Sequence, residues 1–199
     1  MQLASMEGLT GLTIGKLASD LGMSKAGVFA HFGSKEELQF ATLEAASAVF
    51  ADAVLQPVDT TAPALVRLVQ LCDAWLAYVG SNAFAGGCFF AAAAAELDGR
   101  PGELRERFLA LIQVFLRGLE DLAGEAVRER HLQSKLDVKQ LSFELYALVL
   151  GTNWSIQLLG DERATARARA VVQRRIDELA TQRGRALLAK NEGAQRDPR

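Results

Sequence analysis

Cysteine is almost absent from the 199-residue chain, which has only Cys72 and Cys88, and these form neither a CxxC pair nor a zinc spacing. A disulfide framework and a structural zinc site are therefore not expected. Two buried free thiols are the preferred reading, with a redox switch as the alternative. Histidine is as scarce. His31 and His131 lie far apart in sequence, no cluster has metal-ligand spacing, no glycine motif cradles a phosphate, and no nucleophile stands beside a base. Catalysis, a metal and a cofactor are thus not expected. Long hydrophobic runs are missing too: no stretch of about 18 apolar residues spans a bilayer, and the N-terminal residues lack a charged region leading into an apolar one. Neither a membrane anchor nor a signal peptide is read, and the cytoplasm is the expected compartment. Positive charge is short at the N-terminus, where Met1 to Leu55 holds three lysines and no arginine against six acids. The net charge of −2 argues against a chain that coats nucleic acid non-specifically, but leaves local patches open.

Only four prolines occur, and no segment alternates apolar and polar residues, so strands are not expected. Apolar content is plentiful, at 50%, and falls at helical spacing. An all-α fold follows, with enough chain for one or two domains. The pattern predicts helices from Lys35 to about Leu55, which Pro57 and Pro63 end, and from Ala64 to about Gly80. A loop of small residues over Ser81 to Gly87 precedes Gly86 to Leu97, which has no polar residue between Cys88 and Glu96 and reads as a helix buried nearly all round. Further helices are predicted from Glu103 to about Arg130, Val138 to Leu159 and Asp161 to about Ala189. The Val138 to Leu159 segment is apolar around its whole circumference and needs partners on two sides. The Asp161 to Ala189 segment has a thin stripe of Val172, Ile176, Leu179 and Leu187 among many arginines. A solvated, salt-bridged face is the preferred reading of those arginines over a second DNA surface. Residues 191–199 read as a disordered polar tail.

The most informative stretch is Thr13 to Lys35, TIGKLASDLGMSKAGVFAHFGSK. Ile14, Leu17, Ala18 and Leu21 fall on one helical face behind a candidate N-cap, Thr13. Gly22 suits a sharp turn, and Met23 is expected to plug the space between the two helices. Ser24 can cap a second helix whose inward residues are Val28 and Phe32, leaving Lys25, Ala26, Gly27 and Ala30 outward. Two short helices crossing at a three-residue turn are the layout of a DNA-binding helix-turn-helix, whose second helix enters the major groove N-terminus first.

This stretch resembles the N-terminal domain of the TetR family of transcriptional regulators. FAHFGSKEEL, Phe29 to Leu38, carries much of the likeness: Phe29, His31 and Phe32 match the aromatic-x-His-Phe that closes the family's recognition helix, and Ser34, Lys35 and Glu36 match the Ser-Lys-Glu that opens the next. Two features depart from the pattern. Phe29 lacks the hydroxyl that many relatives offer to phosphate, and only QLASMEGL precedes the GLT segment, so most of the family's first helix is missing. A true start upstream of Met1 is the preferred reading; if the chain makes do with the short segment, Leu17, Leu21 and Phe32 are expected to lose part of their cover.

The resemblance implies a three-helix DNA-binding domain over residues 1–45 and a larger helical effector-binding and dimerisation domain over 46–190. Double-stranded operator DNA, a small-molecule effector and a second copy of the chain are the implied partners. The expected DNA contacts are Thr13, Lys16, Ser24 and Lys35 on phosphates, and Lys25, Ala26, Gly27, Phe29 and His31 on bases or groove. The expected effector site draws on Trp75, Tyr78, Phe89, Glu96, Phe115, Tyr146, Asn153 and Trp154, with ordinary core packing, or for Tyr146 and Trp154 a dimer interface, as the alternative. Glu96 follows eight apolar residues and, if buried, needs a partner such as Arg105 or a ligand cation. A repressor released by a largely apolar or aromatic effector is the leading reading. A helical ligand-binding dimer that has lost DNA binding is the alternative.

Overall fold

The structure is a computed structural model that describes residues 1–81 and 83–196. Among the described residues ten α-helices follow one another: α1 Gln2–Glu7, α2 Ile14–Asp20, α3 Lys25–Phe32, α4 Lys35–Phe50, α5 Ala64–Gly80, α6 Phe89–Leu97, α7 Glu103–Arg128, α8 Val138–Gln157, α9 Ala164–Leu179 and α10 Gln182–Arg196. No strand occurs among the described residues, in line with an all-α fold. A π-helical stretch, Ala51–Leu55, prolongs α4. Together the two make a helix long and apolar enough to cross a membrane by length and composition, with mean hydropathy 1.3 in its most apolar window. Lys35, Glu36, Glu37, Glu44 and Asp52 interrupt its apolar run, so it does not stand out in the sequence as a bilayer span. In the structure α4 packs on α3, which is the behaviour of a core helix.

By contacts the chain forms two compact units. One comprises Met1–Asp52 and Ser81–Ile112, the other Ala53–Gly80 and Gln113–Arg199. The compact units do not follow the functional division drawn at 45/46, because α6 and the first turns of α7 group with the N-terminal helices. Phe89 packs between Phe84 and Phe90, and Phe90 meets Phe50 edge-on and stacks on Phe108 at 6.2 Å. These aromatic contacts give the first unit a core that the three reading helices alone lack. The helix expected to be buried all round is half-buried instead, since Ala95 is exposed and Phe90, Ala92 and Ala94 are intermediate.

The second unit is built on α5, which packs against α8, α9 and α10. Leu65, Leu68, Cys72, Trp75, Leu76 and Val79 of α5 are buried, matching the face read from their spacing. Burial pushes the Cys72 thiol up to about 12, with Asp73 adding to the effect, so the group stays a neutral hydrophobe.

The helix expected over Asp161 to Ala189 is broken in two. Ala180 takes an extended conformation and pairs with Leu132, while Thr181 N–H donates to the His131 carbonyl. Thr181 Oγ1 then accepts from Gly184 N at 3.1 Å, an N-cap for α10. A Cβ on Gly184 would lie 2.2 Å from the His131 oxygen, so the close approach requires glycine here. Neither glycine nor proline marks the break; a distant carbonyl makes it. Helix α10 continues to Arg196 through much of the segment expected as a tail, and 197–199 lie outside the described residues.

Candidate nucleic-acid interface

Each of the reading helices starts at a hydroxyl. Thr13 accepts from Lys16 N at 3.2 Å, Ser24 from Gly27 N at 3.1 Å, and Ser34 from Glu37 N at 3.0 Å. Each cap satisfies one orphan donor of its helix and fixes the first turn to within a residue. Gly22, at φ 63°, then turns the chain between α2 and α3, and the Met23 N–H closes the turn on Ala18 O. Ala18 is buried where the two helices cross.

On α3 only Val28 is buried. Lys25, Ala26, Gly27, Phe29, Ala30 and His31 are exposed, so the outward row expected for groove contact is on the surface. Phe29 leaves 56% of its area in solvent, which is unusual for a large aromatic that serves packing alone. His31 instead leans edge-on against Phe32, with ring centroids 4.6 Å apart. Lys25 lies across Gly15 of α2, where a Cβ would stand 2.6 Å from its Cε. That close approach was not read from the sequence. Lys35 is exposed beside the Ser34 cap, at the positive end of α4. Lys16 is in an ion pair with Glu7 at 2.6 Å, both half in solvent. The pair weakens Lys16 as a phosphate contact without removing it, since exposed pairs contribute little.

Two inward placements differ from expectation. Leu21 is 56% and Met23 53% exposed, so Met23 does not plug the turn. Both line an apolar cleft of about 520 Å³ together with Met1, Leu17, Phe32 and Leu38. Leu3 of α1 lines the same cleft.

The eight residues expected around an effector do not fall in one unit. Phe89 and Glu96 belong to the first; Trp75, Tyr78, Phe115, Tyr146, Asn153 and Trp154 belong to the second. Trp75 is buried, edge-on to Phe115 at 4.6 Å and 6.1 Å from Tyr146. Tyr78 and Asn153 are buried on α5 and α8. Trp154 is 59% exposed. The carboxylate of Glu96 accepts the backbone N–H of Thr10 at 2.8 Å. Spacing along α6 gave no sign of a partner 86 residues away.

The arginines of α9 are largely laced to acids: Arg175 to Glu144 and Glu178, Arg167 to Asp161, and Arg169 to Asp73. They form a salt-bridged face, as preferred from the sequence.

Capped helices that present an exposed cationic and aromatic row, joined to a larger helical body, define a helix-turn-helix transcriptional regulator. Comparison with known proteins gives the family. Residues 1–42 match "Bacterial regulatory proteins, tetR family", and residues 64–172 match "Tetracyclin repressor-like, C-terminal domain". The chain belongs to the TetR family, whose members are DNA-binding regulators rather than enzymes. No curated protein matches it. Among solved structures it is similar to a TetR transcriptional regulator from Chloroflexus aurantiacus J-10-FL, at 21% identity and TM-score 0.82, covering 90% of each chain. It is also similar to AibR in complex with isovaleryl coenzyme A and operator DNA, at 22% identity and TM-score 0.68, covering 89% of this chain and 92% of that one. A third is the ketosteroid transcriptional regulator KstR2 of Mycobacterium tuberculosis, at 18% identity and TM-score 0.67, covering 90% of each. Loss of DNA binding gains no support over the regulator reading.

Proposed function

We propose that the chain is a cytoplasmic repressor that binds its operator as a homodimer and is released by a small, largely apolar or aromatic effector. The observation that carries this reading is the row on α3, where Lys25, Ala26, Gly27 and Phe29 are exposed while Val28 anchors the helix inward. Thr13, Lys16, Ser24 and Lys35 take phosphates; Lys25, Ala26, Gly27, Phe29 and His31 face the groove. Residues 1–45 act as the reading head and 46–190 as the effector and dimer body.

For the effector, the Trp75, Phe115 and Tyr146 cluster with Tyr78 and Asn153 supplies apolar walls and a few polar groups. That KstR2 is a ketosteroid regulator supports an apolar ligand class, and the isovaleryl coenzyme A of AibR supports it only through its short apolar acyl group. For the dimer, Phe143, Ala147, Gly151, Trp154 and Leu158 line up at steps of three and four along α8 and its C-cap, and all are exposed. A stripe of that kind marks an interface, and a two-fold pair of recognition helices reads half-sites about 34 Å apart.

Fluorescence anisotropy against duplexes from the chain's own upstream region, at two salt concentrations, tests the reading. Selective, salt-dependent binding that an apolar effector weakens is expected, with a coupling of about 1–3 kcal/mol. Equal affinity for unrelated duplexes would overturn it.

A further inference from the structure

Helix α6 ends on a carboxylate, an awkward place for one, because the negative end of the helix dipole disfavours acids in the last turn. Glu96 is the penultimate residue of α6, and its surroundings supply the compensation. Its Oε2 accepts the Thr10 N–H at 2.8 Å. Its Oε1 sits so close over Gly8 that a Cβ there would stand 2.0 Å away. Gly8 caps α1 at φ 86°, a backbone conformation that favours glycine, and a side chain there would have to push the Glu96 carboxylate aside. Arg100, just past α6, donates to Thr10 Oγ1 at 2.9 Å. From the other side the buried Gln39 of α4 donates to the Leu9 carbonyl at 2.8 Å. Residues 8–10 are thus held from three sides, and three positions later Thr13 begins α2.

The grip extends along α1. Gln2 bridges the Ala83 carbonyl and the Ala85 N–H, each at 2.9 Å, and Ser5 Oγ accepts from Gly86 N. The segment from 83 to 100, which has no DNA-facing residue, therefore clamps both ends of the stub that leads into the reading helices.

We propose that Glu96 is a positioning residue for operator binding: through the Thr10 N–H it ties the position of α6 to the turn that launches α2 and hence to α3. A charge-assisted bond to a backbone donor is short and directional, and its loss leaves Arg100 and Gln39 as the remaining side-chain bonds described at this turn, beside the buried Leu9 and Leu12. This role presupposes the operator-binding reading above.

The test uses full-length wild type, Glu96→Ala and Glu96→Gln. Three quantities are read: the affinity ratio between the selected upstream duplex and an unrelated one, the melting temperature, and amide exchange at Thr10 and across α2 and α3. Glu96→Ala is expected to lower the selectivity ratio about tenfold and to speed exchange at Thr10, α2 and α3, with melting nearly unchanged. Glu96→Gln keeps an acceptor for Thr10 and is expected to stay within about threefold of wild type. Wild-type selectivity in Glu96→Ala, or equal loss in both variants, would overturn the role. If wild type itself shows no selective binding, the regulator reading fails and exchange alone decides. Unchanged rates in Glu96→Ala then reject the positioning, and faster rates through α2 and α3 uphold it.

Discussion

The reading helices of the first compact unit start on local caps, whereas the second unit mixes local caps, Asp137 for α8 and Thr181 for α10, with long-range ones. In the first, α2, α3 and α4 each begin at a hydroxyl that accepts from the N–H three residues ahead. In the second, the first N–H of α5, that of Ala64, is taken by Glu129 at 3.0 Å, 65 residues on, and the break between α9 and α10 is made by the carbonyl of His131. Glu129 also meets the buried His131 ring at 3.0 Å, so one carboxylate joins the start of α5 to the end of α7. The three reading helices start on local signals, although the turn before them is also held by the distant Glu96 and Gln39. The helical body depends on packing between distant segments, and the two should fail in different ways.

Substituting the body's central aromatic is expected to show the largest difference. Trp75→Ala removes a buried indole edge-on to Phe115 and is expected to cost about 3–5 kcal/mol of unfolding free energy. Chemical denaturation measures it, and amide protection in α3 at native conditions should be little changed. Equal loss of protection in α3 would erase the contrast between the units. Next in size is the outer stripe of α8. Trp154→Glu places a charge at the centre of an exposed apolar row and is expected to weaken self-association by about 2 kcal/mol or more. Sedimentation equilibrium reads this, and an unchanged dimer constant would move the interface off α8. For the head, Lys25→Ala is expected to cost about 1–3 kcal/mol in operator affinity and to relax sequence preference with no change in unfolding. A uniform loss over all sequences would make Lys25 a phosphate contact.

Much of the head was legible because its signals are local. Thr13, Ser24 and Ser34 cap as their spacing implied, and Gly22 turns where a glycine after the last periodic residue should. Helix α5 also fell where its apolar face placed it, from Ala64 to Gly80. What was not legible came from partners far along the chain. The partner of Glu96 is Thr10, and nothing in the eight apolar residues before Glu96 points to it. The break at Ala180 has no glycine or proline to announce it, although Thr181 followed by Gly184 was a readable cap. Leu21 carried the right periodicity for burial and Met23 was placed as a plug in the turn, but periodicity assigns a face and cannot say whether a neighbour covers it. In the same way, aromatics at helical spacing on α5, α6, α7 and α8 suggested a single cluster, while the chain sorts Phe89 apart from Trp75.

The smallest expected effect bears on the charged side of the body. Glu144 of α8 accepts two bonds from Arg175 of α9, at 2.7 and 3.2 Å, and one from Gln140 at 3.1 Å. Desolvation pushes its carboxyl up, but the bonds from Arg175 and Gln140 and the attraction of the guanidinium outweigh it, leaving it below its ordinary 4.5. A carboxyl lowered on folding stabilises the native state above its unfolded value, and that contribution fades as pH falls from about 4.5 through the folded value. Both side chains remain about a third exposed, so solvent screening holds the contribution under about 1 kcal/mol. Unfolding of wild type and Glu144→Gln should therefore differ by less than that at pH 7 and converge toward pH 3. A difference that persists unchanged into acid would mean that Arg175 holds α9 to α8 by packing of its stem, with the ion pair contributing nothing.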